Sequence, residues 1–396
     1  MMQISPETQL FIREHSSDDV RVLALQAKKY PDIDMPTAIT QIAGRKVAAE
    51  KIPSWWEIEK IWYPKHLSLE QCSSEITARY KARLLQGDSL TDLTGGFGID
   101  CSFLAIGFKS ATYVERQEEL CEIAAHNFPV LNLNHINIKN EDGVTYLQAM
   151  SPVDCLFLDP ARRNEHGGKT VAISDCEPNV AELEELLLQK ANRVMIKLSP
   201  MLDLSLALKE LKQTQEVHIL SVNNECKELL ILLGQTSPAE ISIHCANLST
   251  KGTQEEQHFV FTREQEQCSE CTYTDSLETY LYEPNASLLK AGAFRSIAAA
   301  YPVRKLHPNS HLYTSDTFIE NFPGRIFRIV NQCSFNKKEV KENLADLKKA
   351  NVTVRNFPAT VAELRKRIHL AEGGDTYLFA STLNNGQKVL IRCEKV

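Results

Sequence analysis

Apolar positions change their period twice along this 396-residue chain. From 1 to about 86 they recur at helical spacing, through 20–27 and 39–49, and Pro31, Pro36, Pro53 and Pro64 cut the pattern into short helices. Ser5-Pro6-Glu7 reads as a helix start, with serine as cap and proline in the first turn. The stretch 68–85 predicts one long helix leading into the first strand, and its Ser74, Glu75 and Thr77 are either contacts to a ligand cleft there or part of a solvated polar face. From 88 the pattern alternates. Strands are expected over 88–93, 111–115, 135–138, 154–158 and 193–198, and helices from 99 and over 118–127, 180–189 and 204–212. Strands 217–222 and 227–233 follow, separated by four residues. Strands separated by helices predict a parallel sheet, and the short gap permits an antiparallel hairpin at its end.

After Gly234 the pattern becomes mixed. Strands are expected over 240–246 and 258–262, then a strand, helix, strand series over 281–284, 287–300 and 303–306. A last unit follows Asn321-Phe-Pro-Gly324. It has strands over 325–330, 351–355, 376–382 and 387–392, helices over 337–350 and 360–370, and an Asn385-Gly386 hairpin signal. Four regions result: helical 1–86, strand–helix 87–235, a small α+β connection 236–319, and a compact α+β domain 320–396.

Composition alters this picture little. An apolar share of 43% and a charged share of 24% are those of an ordinary globular protein. No run of about 18 apolar residues predicts a membrane span. The first residues lack the basic-then-apolar order of a secretory signal. Eleven cysteines, scattered through strand-like and helix-like runs, suggest reduced thiols and a cytoplasmic setting. Cys268-Ser-Glu-Cys271 has no second pair at zinc-finger spacing, and His244 and His258 nearby do not complete a recognisable set, so no metal is expected. Charge is uneven: 14 Lys and Arg face 8 Asp and Glu over 320–396, on a chain of net charge −7. A basic end on an acidic body suits a polyanion, although solvated basic helices give the same count.

The chemistry centres on Asp92-Leu-Thr-Gly-Gly-Phe-Gly98, between the first strand and the next helix. Glycines there let a backbone approach a ligand, and a helix start offers free N–H groups. A dinucleotide loop requires a third glycine where Cys101 stands, and an acid at Asp92 repels a pyrophosphate. Asp92 suits a ligand with an ammonium group, such as S-adenosylmethionine. Glu115 ends the second strand, placed for ribose hydroxyls; Asp142 follows the third, placed for an adenine amine; Asp159 ends the fourth. All lie at carboxyl ends of strands, where open α/β sheets bind ligands.

This ensemble resembles the class I S-adenosylmethionine-dependent methyltransferases over roughly residues 70–235. Thr94 replaces the usual first glycine, as in some rRNA methyltransferases of the class, and Val114-Glu-Arg-Gln117 is similar to the same group. Asp159-Pro-Ala-Arg-Arg163, Leu281-Tyr-Glu-Pro-Asn285 with Leu288-Leu-Lys-Ala-Gly292, and the final α+β unit resemble methyltransferase-related proteins with a THUMP-like C-terminal domain. The resemblance implies a Rossmann-like methyltransferase sheet of parallel strands with a terminal antiparallel hairpin. It also implies an N-terminal helical region and C-terminal ferredoxin-like and THUMP-like domains. The implied cofactor residues are Asp92, Thr94, Gly95, Gly96, Gly98, Asp100, Glu115, Arg116, Asp142, Gly143 and Asp159, and the implied partner is RNA, delivered by 320–396.

In amino-methylating relatives the fourth strand ends in Asp/Asn-Pro-Pro-Tyr/Phe. Here Asp159 and Pro160 match, while Ala161 and Arg162 replace the second proline and the aromatic. Arg162 can stack on a base, hold a phosphate or pair with Asp175. His166, in the polar segment 164–170, is a candidate base; Lys197 either borders the cleft or pairs with Asp203; Cys176 is the candidate for a covalent route. The expectation is methyl transfer to RNA, rRNA or tRNA, at a nitrogen. Transfer to a protein or small molecule, or a silent RNA-binding role, stays open.

Overall fold

The computed structural model describes residues 4–162, 172–236, 238–250 and 256–396. It divides into two compact units, Met1–Gln215 with Leu230–Pro238, and Glu216–Leu229 with Ala239–Val396.

The first unit begins with the expected short helices: Pro6–Glu14, Val20–Leu25, Met35–Lys51, Pro53–Trp56, His66–Gln71 and Glu75–Ala82. Ser5, Asp19 and Asp34 cap the first three through side-chain oxygens. The single helix expected over 68–85 is two. Ser73 and Ser74 break it, because the Ser73 hydroxyl donates to Asp100 Oδ2 (2.7 Å) and Ser74 is extended. Aromatic side chains pack these elements together. Trp55 and Tyr63 are buried against Phe97 of the glycine loop (ring centroids 5.2 and 6.2 Å), and Trp62 stacks on His126 at 3.7 Å. Two side-chain amides hold the segment between them. Gln41 donates to Tyr63 O and accepts from Tyr63 N, and Asn127 does the same for Trp62, all at 2.8–2.9 Å.

The sheet of this unit has five parallel strands: Ser89–Asp92 (β1), Ser110–Glu115 (β2), Ile136–Asn140 (β3), Val153–Leu158 (β4) and Ala191–Leu198 (β5). Their order is β5-β4-β1-β2-β3, a Rossmann-like arrangement. Leu230–Gly234, the end of strand Glu225–Gly234, lies beside β5, and Thr214 and Gln215 open the strand outside it. Buried Leu90, Tyr113, Val114, Leu156 and Phe157 supply the core that four-residue to six-residue strands require.

In the second unit, residues 216–222 of strand Thr214–Val222 (β6) and 225–229 of strand Glu225–Gly234 (β7) are joined by Asn223 and Asn224, both at positive φ (51° and 67°), which suits a tight hairpin. Ser242–Leu248 (β8) runs parallel to β6 and Gln257–Thr262 (β9) antiparallel to β8. A second sheet of seven strands follows. Tyr280–Pro284 (β10), Arg304–Lys305 (β11), Tyr313–Ser315 (β12), Gly324–Ser334 (β13), Asn351–Val354 (β14), Thr376–Thr382 (β15) and Lys388–Lys395 (β16) take the order β11-β12-β10-β13-β16-β15-β14. Successive residues of β15 alternate faces. Leu378 and Ala380 join Leu344 and Leu364 under the helices Lys337–Leu344 and Val361–Ile368, whereas Phe379 joins Leu281 and Phe327 on the other side. The helix expected over 287–300 is two, because Gly292 at φ 78° ends Ala286–Ala291. Strand β12 has too short an apolar run to be read from spacing.

Asn127→Ala leaves the N–H and C=O of Trp62 unpartnered in a buried joint. It is expected to lower stability by about 1–3 kcal/mol in urea unfolding; a change near zero contradicts the clamp.

Candidate functional site

β1 stands where the strand order reverses, with β4 on one side and β2 on the other. The loop leaving it is stitched to both. Leu93 N–H donates to Phe157 O (3.0 Å) and Gly95 N–H to Val114 O (2.8 Å). Gly95 is required by its neighbour, since a Cβ there would sit 2.2 Å from the Tyr113 ring. Gly96, at φ 53°, differs. Its added Cβ would meet nothing nearer than Thr94 O at 3.8 Å, so this part of the loop borders open space. Gly98, at φ 86°, precedes helix Ile99–Ala105.

Acids and lysines surround this loop. Glu115, 8% exposed, accepts from Gly96 N–H through Oε2 (2.9 Å) and from Gln117 N–H through Oε1 (2.8 Å). Thr94 Oγ1 accepts from Asp159 N–H (2.6 Å), which ties the first loop to the fourth and gives the threonine a purpose a glycine cannot serve. Asp100 is held by Ser73 and by Lys81, whose Nζ lies 2.9 Å from Oδ1; Lys81 also donates to Ser73 Oγ (2.8 Å). Lys197, at the end of β5, pairs closely with Asp159 Oδ2 and lies 3.6 Å from Asp100 Oδ2.

Asp92 differs from these. Oδ1 accepts from Thr94 N–H (3.0 Å), but Oδ2 is buried with no hydrogen-bond partner among the described residues. Burial drives its carboxyl well above the usual aspartate range, opposed by the Thr94 N–H and reinforced by Asp100, Asp159 and Glu115. Burial also works against charge on Asp100, yet Lys81 and Lys197 outweigh it and hold that carboxyl below its ordinary value.

The structure therefore brings Asp92, Thr94, Gly95, Gly96, Gly98, Asp100, Glu115 and Asp159 together, with Pro160 buried next to Asp159. Gly143 packs against the end of β1, where a Cβ would lie 2.2 Å from Leu93 O. Asp142 caps helix Gly143–Ala149, its Oδ1 accepting from Val144 and Thr145 N–H (3.0 and 2.9 Å). Arg116 lies 3.5 Å from Glu177 at the surface. Glu75 is engaged by Ser54 N–H (2.8 Å) and Arg79, and Ser74 and Thr77 bond each other (3.2 Å). Lys197 does not pair with Asp203, which instead caps helix Leu204–Glu210. Cys176 is buried, and its backbone pairs with that of Arg162. The Arg162 side chain, Arg163 and His166 with segment 164–170 lie outside the described residues. Spacing alone does not single out Ser73 or Lys81. The available signal is a lysine on the apolar stripe Ala78, Lys81, Leu85, where it is fully buried.

Residues 280–323 match the model of a ferredoxin-like domain and residues 324–395 that of a THUMP-like domain. The crystal structure of a candidate methyltransferase from Porphyromonas gingivalis W83 is 34% identical, with each chain fully covered and a TM-score of 0.88. The chain belongs to this family of class I methyltransferase-related proteins with a THUMP-like C-terminal domain. An rRNA methylase from Streptococcus thermophilus (14% identity, 40% of this chain, 93% of that one, TM-score 0.29) is a more distant match. So is a candidate methyltransferase from Streptococcus mutans solved with SAH (13%, 40% and 96%, 0.30), and at these scores neither bears on function. No curated protein matches the chain. Among the described residues, no helix is long and apolar enough to cross a membrane.

Two substitutions read the electrostatics. Lys81→Met strands Asp100 in a buried site and is expected to cost about 3–5 kcal/mol in denaturant unfolding. Asp92→Asn acts the other way. A raised folded-state pKa costs nothing below the ordinary aspartate range, and the cost grows as pH rises through it towards the raised value. The variant is therefore expected to unfold at higher urea than wild type at pH 7–8, with the gap closing towards pH 4; a gap independent of pH refutes the burial account.

Proposed function

We propose that this protein is an S-adenosylmethionine-dependent methyltransferase acting on RNA, at a nitrogen. The observation that carries the reading is Asp92 Oδ2, a buried acceptor with no hydrogen-bond partner among the described residues, at the start of the loop in which Gly96 borders open space. A buried unsatisfied group calls for an explanation, and a bound ammonium supplies one. The donor set fits the rest of the cofactor. Glu115 uses one lone pair on each oxygen for backbone N–H groups and keeps further acceptor capacity for ribose hydroxyls. Asp142 lies one residue from Gly143, which is packed on β1. When bound, the cofactor supplies an electrophilic methyl group. The protein's share is to hold the ammonium at Asp92, to fix the loop through Thr94, and to present Asp159 and Pro160 to the acceptor. Lys197 orients the Asp159 carboxylate through their ion pair.

The RNA reading rests on the THUMP-like match over 324–395 and on exposed basic side chains of two helices that share one face of the sheet. Lys337, Lys338 and Lys341 lie on Lys337–Leu344, and Lys366 and Arg367 on Val361–Ile368; all are exposed. We propose the divisions 1–86, 87–235, 236–319 and 320–396 as the working parts.

Calorimetry should show S-adenosylmethionine binding to wild type. Asp92→Asn should weaken it roughly tenfold to a hundredfold, the worth of a hydrogen bond to a charged group. Binding should also release a proton, because an ammonium favours the ionised carboxyl, so affinity rises with pH over the range in which Asp92 ionises; no proton release removes this role. For the acceptor, tritiated methyl should pass to total RNA from cells lacking this gene. Label confined to protein, or none despite cofactor binding, defeats the RNA reading. Combined Lys337→Glu, Lys338→Glu and Lys341→Glu should weaken RNA binding and flatten its salt dependence by about one logarithmic unit for each phosphate no longer neutralised.

A further inference from the structure

The second unit carries a group of side chains that no part of the proposed reaction uses. Strands β6 and β8 are parallel, in a register that sets Glu216 opposite Ser242 and His218 opposite His244. Residues two apart on a strand share a face, so Glu216, His218 and His244 converge on the same side of the sheet. His218 Nε2 lies 3.2 Å from Glu216 Oε2. The two imidazoles are stacked, with centroids 4.4 Å apart and planes at 11°. One ligand-type atom from each of the three residues lies within 4.8 Å of the other two.

We propose that Glu216, His218 and His244 form a binding site for one divalent transition-metal ion of the zinc type. Two imidazoles and a carboxylate are a donor set of borderline softness, suited to zinc and poorly suited to calcium or magnesium. Ligands of one tetrahedral zinc stand about 3.4 Å apart, given metal–ligand distances near 2.0–2.1 Å. The Glu216–His218 separation already meets this, and the 4.8 Å limit on the others lies within reach of a side-chain rotation. The backbone does most of the placement, since adjacent strands sit about 4.8 Å apart and both histidines occupy one rung of the ladder. Ser242 Oγ, 3.1 Å from His244 Nε2, orients the ring, as outer groups do around metal-bound imidazoles. His218 is buried, while Glu216 and His244 are half-buried, so the ion reaches solvent and completes its shell with water. The ion ties β6 to β8. This site stands independently of the methyltransferase reading.

The test uses the full chain, stripped with a chelator and titrated with zinc chloride and, separately, cobalt(II). Expected are one equivalent of zinc, a higher melting temperature with zinc present, and affinity lowered at least about tenfold by His244→Ala and by Glu216→Gln. The Cys268→Ser, Cys271→Ser double variant should keep the wild-type affinity. No stoichiometric zinc, unchanged affinity in both site variants, or loss of zinc in the cysteine variant overturns the proposal. Should a site variant not fold, the cobalt spectrum of wild type still decides. A nitrogen–oxygen ligand field without thiolate charge transfer supports the site, and strong charge transfer assigns the ion to cysteine instead.

Discussion

Three aspartates crowd the carboxyl ends of β1 and β4 and the helix between β1 and β2, and two lysines answer them. Lys81 and Lys197 account for Asp100 and Asp159, both by direct ion pairs. Asp92 has no such ion pair among the described residues, and its Oδ2 has no hydrogen-bond partner there, so a charge on it would stand unbalanced. In a low-dielectric setting such an imbalance is costly, and the folded protein avoids it by favouring the neutral carboxyl. That cost falls at the point where the strand order reverses, which is where we propose that an ammonium binds. Much else serves this arrangement: the helix break at Ser73, the depth of Lys81 and the link from Thr94 to Asp159 all keep the existing charges matched and in place.

The strand–helix alternation, the glycine loop and the acids at strand ends were legible because each rests on a local pattern. Period and turn residues act within about ten positions, and the sheet order follows from them. What was not legible depended on distant partners. Ser73 breaks a helix only because Asp100 is there to receive its hydroxyl, and Lys81 is tolerated in an apolar stripe only because the same carboxylate waits for it. Nothing in the run 68–85 announces either. Asp142 shows the converse. Its position after β3 suits the proposed ligand contact, and an aspartate before a helix also suits capping, so the two readings share one residue; the structure shows the cap.

The second unit illustrates how pairing escapes a reading by period. Strands over 240–246 and 258–262 are visible as alternation, but spacing does not say that β8 lies against β6. That register is what sets two histidines and a glutamate on one face. Sequence distance between His218 and His244 conceals a separation of one strand. In the same way, β12 is only three residues long, and its place between β10 and β11 comes from backbone bonding rather than from an apolar pattern.

Phe97 sits at the tip of the glycine loop and is gripped by Trp55 and Tyr63 from the helical region. A glycine-rich loop left to itself is floppy and must lose that freedom each time a ligand arrives. Here the freedom is surrendered once, when the chain folds, so the loop that we propose holds the cofactor is set in advance. The N-terminal helices are therefore the part that keeps the loop's shape, and on the proposed reading slackness in their aromatic grip becomes ordering entropy that a ligand must overcome.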